Sequence, residues 1–400
     1  MLSSATEKIR SRDTPFPYRQ NSDLFYLTGI SNPDQLFLVH SEYKSPILIS
    51  PPKDPVKELW DGPQPPLSGH LRKLGIKQIT SEDPLSTAKS YLHDTEHLIY
   101  GNEPDSLSAQ LALELLSLPA HRRGSLPISL HHSDTLLVPL RLYKSPQEIS
   151  LIKEAALITS ESLFEATTLL RSGVTEGEVK AAIEYGFRAR GAEVAFSTIA
   201  ATGGSAAYLH YQAHQKKLRS GQLILLDCGA EYQMYAADIS RTLPVGGKFS
   251  GVLSELYDAV LEAQLAAISR VKHGVKIKTI YDAASTVLLE FLKDHRLITG
   301  SITKALREGK HRPFFPHGIG HPLGIDVHDL GNMRGNNDAV VETGMVLTIE
   351  PGLYFQKRTK DIPPCGVRIE DDLQVTKNGC KILTPHFPKA RADIEELMAG

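Results

Sequence analysis

"LILLDCGAEYQMYAADISRTLP", Leu223 to Pro244, sets two acids, Asp227 and Asp238, with Glu231 between them, in otherwise apolar, strand-like text. In one straight strand an odd separation sends the two side chains to opposite faces of the sheet. They meet only if the chain folds back, and a hairpin turning about Tyr232 and Gln233 sets them directly opposite each other. Like charges facing across a strand pair destabilise it, and a desolvated carboxylate without a partner is costly or gives up its charge. Something positive is therefore expected between them. Taken alone, Asp227-Cys228-Gly229 also suits plain turn chemistry, so the rest of the chain has to decide.

Two further strand-like runs turn acidic at one end. In Gly344–Glu350, alternation puts Val346, Thr348 and Glu350 on one face, and Pro351-Gly352 ends the strand in a turn. In Gly366–Asp372 the same rule puts Arg368, Glu370 and Asp372 together, opposite Val367 and Ile369. A surface ion pair would explain either run alone, but it explains poorly why both turn acidic only at one end. Histidines stand nearby in sequence. Pro316–Asp329 holds His317, His321 and His328 among glycines and prolines. His317 and His321 have the spacing of a helical zinc pair, but Gly318, Gly320 and Pro322 oppose a helix and no Glu follows His317. Four carboxylates, Asp227, Asp238, Glu350 and Glu370, with at least one imidazole suit divalent manganese, iron, cobalt or zinc, and so many acids can hold two ions. Two such ions about 3.5 to 4 Å apart acidify a shared water and polarise the group it attacks.

At 400 residues the chain exceeds what one core usually organises, so two domains are expected. The formal net charge of -2, with both signs interspersed, gives no electrostatic ground for binding nucleic acid or a membrane surface. Three cysteines without paired spacing suggest neither a disulfide framework nor a thiolate zinc site. No signal peptide, transit peptide or membrane-spanning run is legible, and the cytoplasm is the default location. The text changes near residue 140. Before it, short β-like runs (Leu36–Val39, Pro46–Ile49) alternate with proline-rich loops such as Gly62–Pro66. After it, Ser145-Pro146-Gln147-Glu148 and Thr175 with Glu178 form two capping boxes ahead of helices. A third helix is expected from Ser250 and a fourth over Lys278–Lys293. Gly173-Val174, Val179 and Ala182 recur at one offset as Gly274-Val275, Ile280 and Ala283, a weak sign of internal duplication.

The texts DCGAEYQMYAADISRT, HGIGHPLGIDVHD, TIEPGLY and GVRIEDD, in this order, resemble the pita-bread metallopeptidases, and within them the Xaa-Pro aminopeptidases (aminopeptidase P). PYRQNSDLFYLTGISNPDQLFLV, Pro17 to Val39, resembles that group's amino-terminal domain, which methionine aminopeptidases lack. The resemblance implies an α/β (α+β) chain. A small N-terminal α/β domain over residues 1–140, lacking the family's first helix and strand, precedes a pita-bread catalytic domain over 141–400 with an internal pseudo-twofold repeat. Without that first strand the small domain has an open sheet edge, a liability unless covered.

The implied activity is removal of the first residue from peptides with proline in second position, by attack of a metal-bridging hydroxide on the Xaa-Pro carbonyl. Two divalent ions are implied, Mn2+ foremost, with Zn2+, Co2+ or Fe2+ as alternatives. Asp227 would chelate one ion, Asp238 and Glu370 would bridge both, and His321 with Glu350 would complete the other. Glu350 would also shuttle the proton. His328 resembles the residue that steadies the oxyanion, and His210 and His317 resemble substrate-pocket histidines. Arg368 would hold the proline side or support the ligand shell, assisted by Tyr354. The partners implied are an Xaa-Pro peptide and further copies of the chain, as a dimer or tetramer. Trp60, the sole tryptophan, lies in a loop that either reaches a neighbouring subunit's site or packs locally. Met234 stands near the hairpin turn where the family commonly has glycine. Two rival readings are a prolidase, acting on Xaa-Pro dipeptides only, and a non-enzymatic pita-bread binding protein, which the five retained ligands disfavour. A two-metal nuclease or phosphatase lacks a basic groove or phosphate loop.

Overall fold

Short apolar runs build the first part of the chain and capped amphipathic helices the second. The computed structural model describes residues 1–399 apart from 93–94, 102, 104, 118–126, 332, 334–335 and 337. It divides into two units, Met1–Pro139 and Leu140–Gly400.

In the first unit, Leu2–Ser3, Leu36–Leu38, Ile47–Ser50 and Lys77–Thr80 form one sheet in that order, antiparallel except for the last pair. The two central strands are apolar and buried over Leu36–Leu38 and Ile47–Ile49 because both faces are covered, whereas the edge strand Lys77–Thr80 is largely polar and exposed. Leu36, Leu38, Ile47 and Ile49 pack with Ala88, Leu98 and Leu111 on one side. Phe37 and Leu48 pack with Leu24, Ile30 and Leu71 on the other. The strand expected to leave an open edge is flanked on its far side as well. The Met1 amine donates to the Ile99 carbonyl at 2.7 Å and the Gly101 N–H donates to the Met1 carbonyl at 3.0 Å. His97–Tyr100, which pairs with Ser129–His132 in a separate two-stranded sheet, thus runs beside that edge at Met1. Trp60 lies not in a loop but in the helix Pro55–Asp61, capped by Asp54. It is 82 % exposed, so local packing does not account for it.

In the second unit, helix α1 (Pro146–Thr167) begins at the Ser145 capping box and α2 (Glu176–Ala189) at the Thr175 box, both complete. Strands β1 (Leu223–Cys228), β2 (Ala230–Tyr232), β3 (Tyr235–Ala236) and β4 (Ile239–Pro244) follow. Next come α3 (Val252–Ile268) and α4 (Ile277–Asp294). The former starts at Gly251 without a side-chain cap, so Ser250 does not serve as one. Strands β5 (Val346–Ile349), β6 (Gly352–Phe355), β7 (Cys365–Arg368) and β8 (Asp371–Val375) complete the set used below. Helix pair then antiparallel strands, twice over, is the repeat hinted at by the sequence. Gly173 and Gly274 hold equivalent places before α2 and α4 with φ of 98° and 85°, the left-handed region where a side chain is disfavoured. Val179 and Ile280, at the same offset, are both fully buried in the common core. Among the described residues no helix is long and apolar enough to cross a membrane.

Candidate metal centre

The first hairpin turns one residue later than its sequence suggests. Tyr232 pairs with Tyr235, and Gln233 and Met234 form the turn with φ of 48° and 72°. Two positive φ values in a two-residue loop are what the right-handed twist of the flanking strands requires. The register that follows sets Asp227 opposite Ser240, and its continuation sets Asp238 opposite Gly229. The two acids are therefore diagonal rather than directly opposite. They keep a common face because the shift moves the pairing by two positions, the period of a strand. The ladder is interrupted where Asp238 lies. A Cβ on Gly229 would come within 1.8 Å of the Ala237 carbonyl oxygen, so the absence of a side chain there lets the chain cross so closely.

The second hairpin is interrupted in the same way. Gly344–Glu350 and Gly366–Asp372 are not single strands ending in turns. Strand β5 pairs with β8 and β6 with β7, in one continuous register broken at Glu350-Pro351 and Ile369-Glu370. Pro351 lacks the N–H a ladder needs. The register places Glu350 opposite Glu370 within the break. The Glu370 N–H donates to the Ser240 carbonyl at 3.1 Å, joining the two hairpins at their interruptions.

Asp238, His321 and Glu370 each bring one ligand atom to within 4.8 Å of the others. His321 Nε2 lies 3.5 Å from Asp238 Oδ2 and 3.9 Å from Glu350 Oε1. Its Nδ1 lies 3.0 Å from the Pro322 carbonyl, a pure acceptor, so Nδ1 carries the proton and Nε2 presents a lone pair to the acids. A lone pair facing carboxylates is repulsive unless a cation lies between. Among the described residues, Asp227 Oδ1, Asp238 Oδ1 and Glu370 Oε1 are buried without a hydrogen-bond partner, and such atoms in a native fold call for an ion or water. Burial first, then Glu370, Asp227, Asp372 and Glu350, push the Asp238 carboxyl well above the ordinary range. Burial, then Glu350 and Asp227, do the same to Glu370. Burial, then His328, lowers His321 to about 4. An oxygen-rich set with one neutral imidazole fits a divalent first-row ion.

The remaining residues singled out in the sequence surround this cluster. Arg368 donates to Asp227 Oδ2 at 2.5 Å, to Ser240 Oγ at 2.8 Å and to the Tyr354 hydroxyl at 3.0 Å. His317 Nδ1 donates to the Gly318 carbonyl at 2.9 Å, which leaves Nε2 to accept from the Tyr354 hydroxyl at 2.8 Å. Burial, then Arg368, takes His317 down to about 3, and burial raises Tyr354 to about 12. His317 Nδ1 lies 3.7 Å from Glu350 Oε2. The His328 ring is exposed and stands edge-on to His321, centroids 4.3 Å apart. His210 is exposed and close enough to His317 to depress its basicity. The segment Pro316–Asp329, which carries His317, His321 and His328, is not helical.

The acids and His321 are held by three groups, of which Thr348 and Asp372 share a strand face with a candidate ligand in the sequence pattern and Ser240 carries no role in it. Ser240 Oγ donates to Glu370 Oε2 at 2.7 Å, Asp372 Oδ2 accepts from the Asp238 N–H at 3.1 Å, and Thr348 Oγ1 accepts from the His321 N–H at 3.2 Å. Ser240 shares a strand face with Asp238, the one signal that could have marked it. Arg241 is fully buried, donates to the Glu370 carbonyl at 2.5 Å, and pairs with Asp371 at 2.8 Å.

Comparison with known proteins places this geometry. Residues 150–377 match the model of metallopeptidase family M24, and residues 1–100 match that of the aminopeptidase P N-terminal domain. The Xaa-Pro aminopeptidase of Haemophilus influenzae is 34 % identical, with 100 % of this chain and 92 % of the relative covered. That of Escherichia coli is 32 % identical, with 100 % and 93 % covered. Among solved structures, a Pseudomonas aeruginosa aminopeptidase superposes with a TM-score of 0.92 at 34 % identity, covering 100 % of this chain and 93 % of its own. A zinc-substituted E. coli aminopeptidase P in complex with product gives 0.92 at 31 % identity, covering 99 % and 93 %. With the amino-terminal and catalytic models matched in order and relatives aligned along its whole length, the chain belongs to metallopeptidase family M24, in its aminopeptidase P branch.

Proposed function

We propose that this chain is a metal-dependent aminopeptidase that removes the first residue from peptides with proline in second position. The reading is carried by one observation: ligand atoms of Asp238, His321 and Glu370 lie within 4.8 Å of one another where two hairpins are interrupted, and Asp227, Asp238 and Glu370 each keep a buried oxygen with no hydrogen-bond partner among the described residues. The names of its relatives supply the proline preference. Asp227, Asp238, His321, Glu350 and Glu370 would hold two divalent ions, Mn2+ foremost. Such ions, when bound, acidify water and polarise a carbonyl.

The protein's own groups do the rest. Glu350 has the largest side-chain exposure of the acids facing His321, 19 % against 7 % for Asp238, and suits a proton shuttle. It takes the proton of the attacking water and delivers it to the proline nitrogen as that bond breaks. His328, exposed beside His321, donates to the carbonyl oxygen as charge develops there. His210 and His317 line the pocket, and Arg368 with Tyr354 holds Asp227 and His317 in place. Proline carries no N–H and fixes its own backbone, so recognition of it must come from a pocket shaped for the ring. We further propose a homo-oligomer, a dimer or tetramer, with exposed Trp60 at the subunit boundary, working in the cytoplasm.

The test is a substrate panel with and without Mn2+: Xaa-Pro-Yaa tripeptides, Xaa-Pro dipeptides, and tripeptides without proline. Metal-dependent release of Xaa from the first group supports the proposal. Turnover of dipeptides alone would make it a prolidase, and no turnover of any peptide would leave a binding protein.

A further inference from the structure

The loop that carries His321 and His328 is held by a buried charge cluster with no part in the chemistry described above. Asp329 lies at its centre, its side chain almost wholly buried. Its Oδ1 accepts from Arg141 Nη2 and from the Leu330 N–H at 2.8 Å, and its Oδ2 accepts from Lys144 Nζ at 2.8 Å. The side chains of Arg141 and Lys144 are as buried as that of Asp329, and Arg141 also donates to the half-exposed Asp326 at 2.6 Å. The Asp329 N–H closes the loop on the Pro322 carbonyl at 3.0 Å. One residue therefore fixes the chain immediately after His321 and immediately after His328. Gly324 makes room for this: a Cβ there would lie 2.2 Å from Asp329 Oδ2 and 2.8 Å from Lys144 Cε. The Gly324 carbonyl in turn accepts from the Ala236 N–H at 2.9 Å, tying the loop to the hairpin that carries Asp238.

Burying two cations around one carboxylate is a poor route to stability, since apolar residues of similar volume commonly do as well or better. Such a cluster is better suited to enforcing one conformation. We propose that Asp329, clamped by Arg141 and Lys144, is a positioning residue that aims His321 Nε2 at the acids and keeps His328 edge-on beside it. This inference rests on the metallopeptidase reading for its consequence in turnover, but not for its consequence in metal binding.

The experiment compares the full chain with Asp329→Asn and, separately, Lys144→Met. Each protein is loaded with Co2+ for visible absorption, its Mn2+ dissociation constant is measured by equilibrium dialysis, and kcat and KM are determined on an Xaa-Pro-Yaa peptide. Groups that orient a metal ligand typically contribute about 10- to 100-fold in affinity or activity. Asp329→Asn is expected to weaken Mn2+ binding and lower kcat within that range, alter the Co2+ bands, and leave KM nearly unchanged. A merely structural role would lower the urea midpoint while the folded protein kept its Co2+ spectrum, Mn2+ affinity and kcat, and that result overturns the proposal. If Asp329→Asn does not fold, Lys144→Met decides on the same three readouts. If the wild type cleaves no Xaa-Pro peptide, the functional reading fails, while the Co2+ spectra and Mn2+ affinities still decide the role of Asp329.

Discussion

Asp238→Asn should change stability in opposite directions with and without metal. The ligand atoms of Asp238, His321 and Glu370 lie within 4.8 Å of one another. Two carboxylates at that separation repel by about 3 kcal/mol at an effective dielectric constant of about 20. Protonation of one acid relieves part of this in the metal-free protein, as the raised ranges of Asp238 and Glu370 require. About 1–2 kcal/mol remains for the neutral amide to recover, and its N–H can also satisfy a neighbouring oxygen. In chelator the Asn variant should therefore unfold at higher urea than the wild type. With Mn2+ at about 100 times its dissociation constant, the wild type gains about 2.7 kcal/mol per site, and the variant should gain little. Urea unfolding followed by circular dichroism at neutral pH, in chelator and in Mn2+, gives all four values. A variant less stable than wild type in chelator, with an undiminished gain from Mn2+, would refute both the repulsion and the ligand role.

Three further outcomes follow from the same geometry. Gly229→Ala places a Cβ against the Ala237 carbonyl, so it should cost about 1–3 kcal/mol in urea unfolding and weaken metal binding through Asp238. Arg241→Met leaves Asp371 with Lys389 as its one remaining cation among the described residues and releases the Glu370 carbonyl. A loss of about 3–5 kcal/mol is expected, and the Arg241→Met/Asp371→Leu pair should recover most of it. His317 is neutral in the fold, with its basicity lowered to about 3 by burial and then Arg368. The unfolded chain takes up a proton near pH 6.5 that the fold refuses, so the His317 contribution is full above that pH and is lost as pH falls from about 6.5 toward 3. Urea midpoints of wild type and His317→Gln, measured in chelator across this window, should converge and then cross in favour of the variant.

The faces shared by the acids were legible in the chain because strands state their faces by alternation. That pattern put Val346, Thr348 and Glu350 on one face, and Arg368, Glu370 and Asp372 on another. The interruptions were not legible. A break at Glu350-Pro351 needs a proline read as a ladder gap inside a continuing register rather than as a strand end. The turn was misplaced by one residue because Gln233 and Met234 carry none of the Asn or Gly preference for positive φ. Both capping boxes were legible as text, since each is a local pattern of side chain against nearby N–H groups. Arg241, Ser240 and Asp329 were not singled out because their partners lie more than a hundred residues away in sequence.

The most direct test of the central claim is metal stoichiometry measured with turnover. Chelator-stripped protein titrated with Mn2+ should bind two ions per chain, with release of the first residue from an Xaa-Pro-Yaa peptide rising in step, and Glu370→Gln should lower both. Binding of no divalent ion, or peptide release that persists undiminished in chelator, would contradict it.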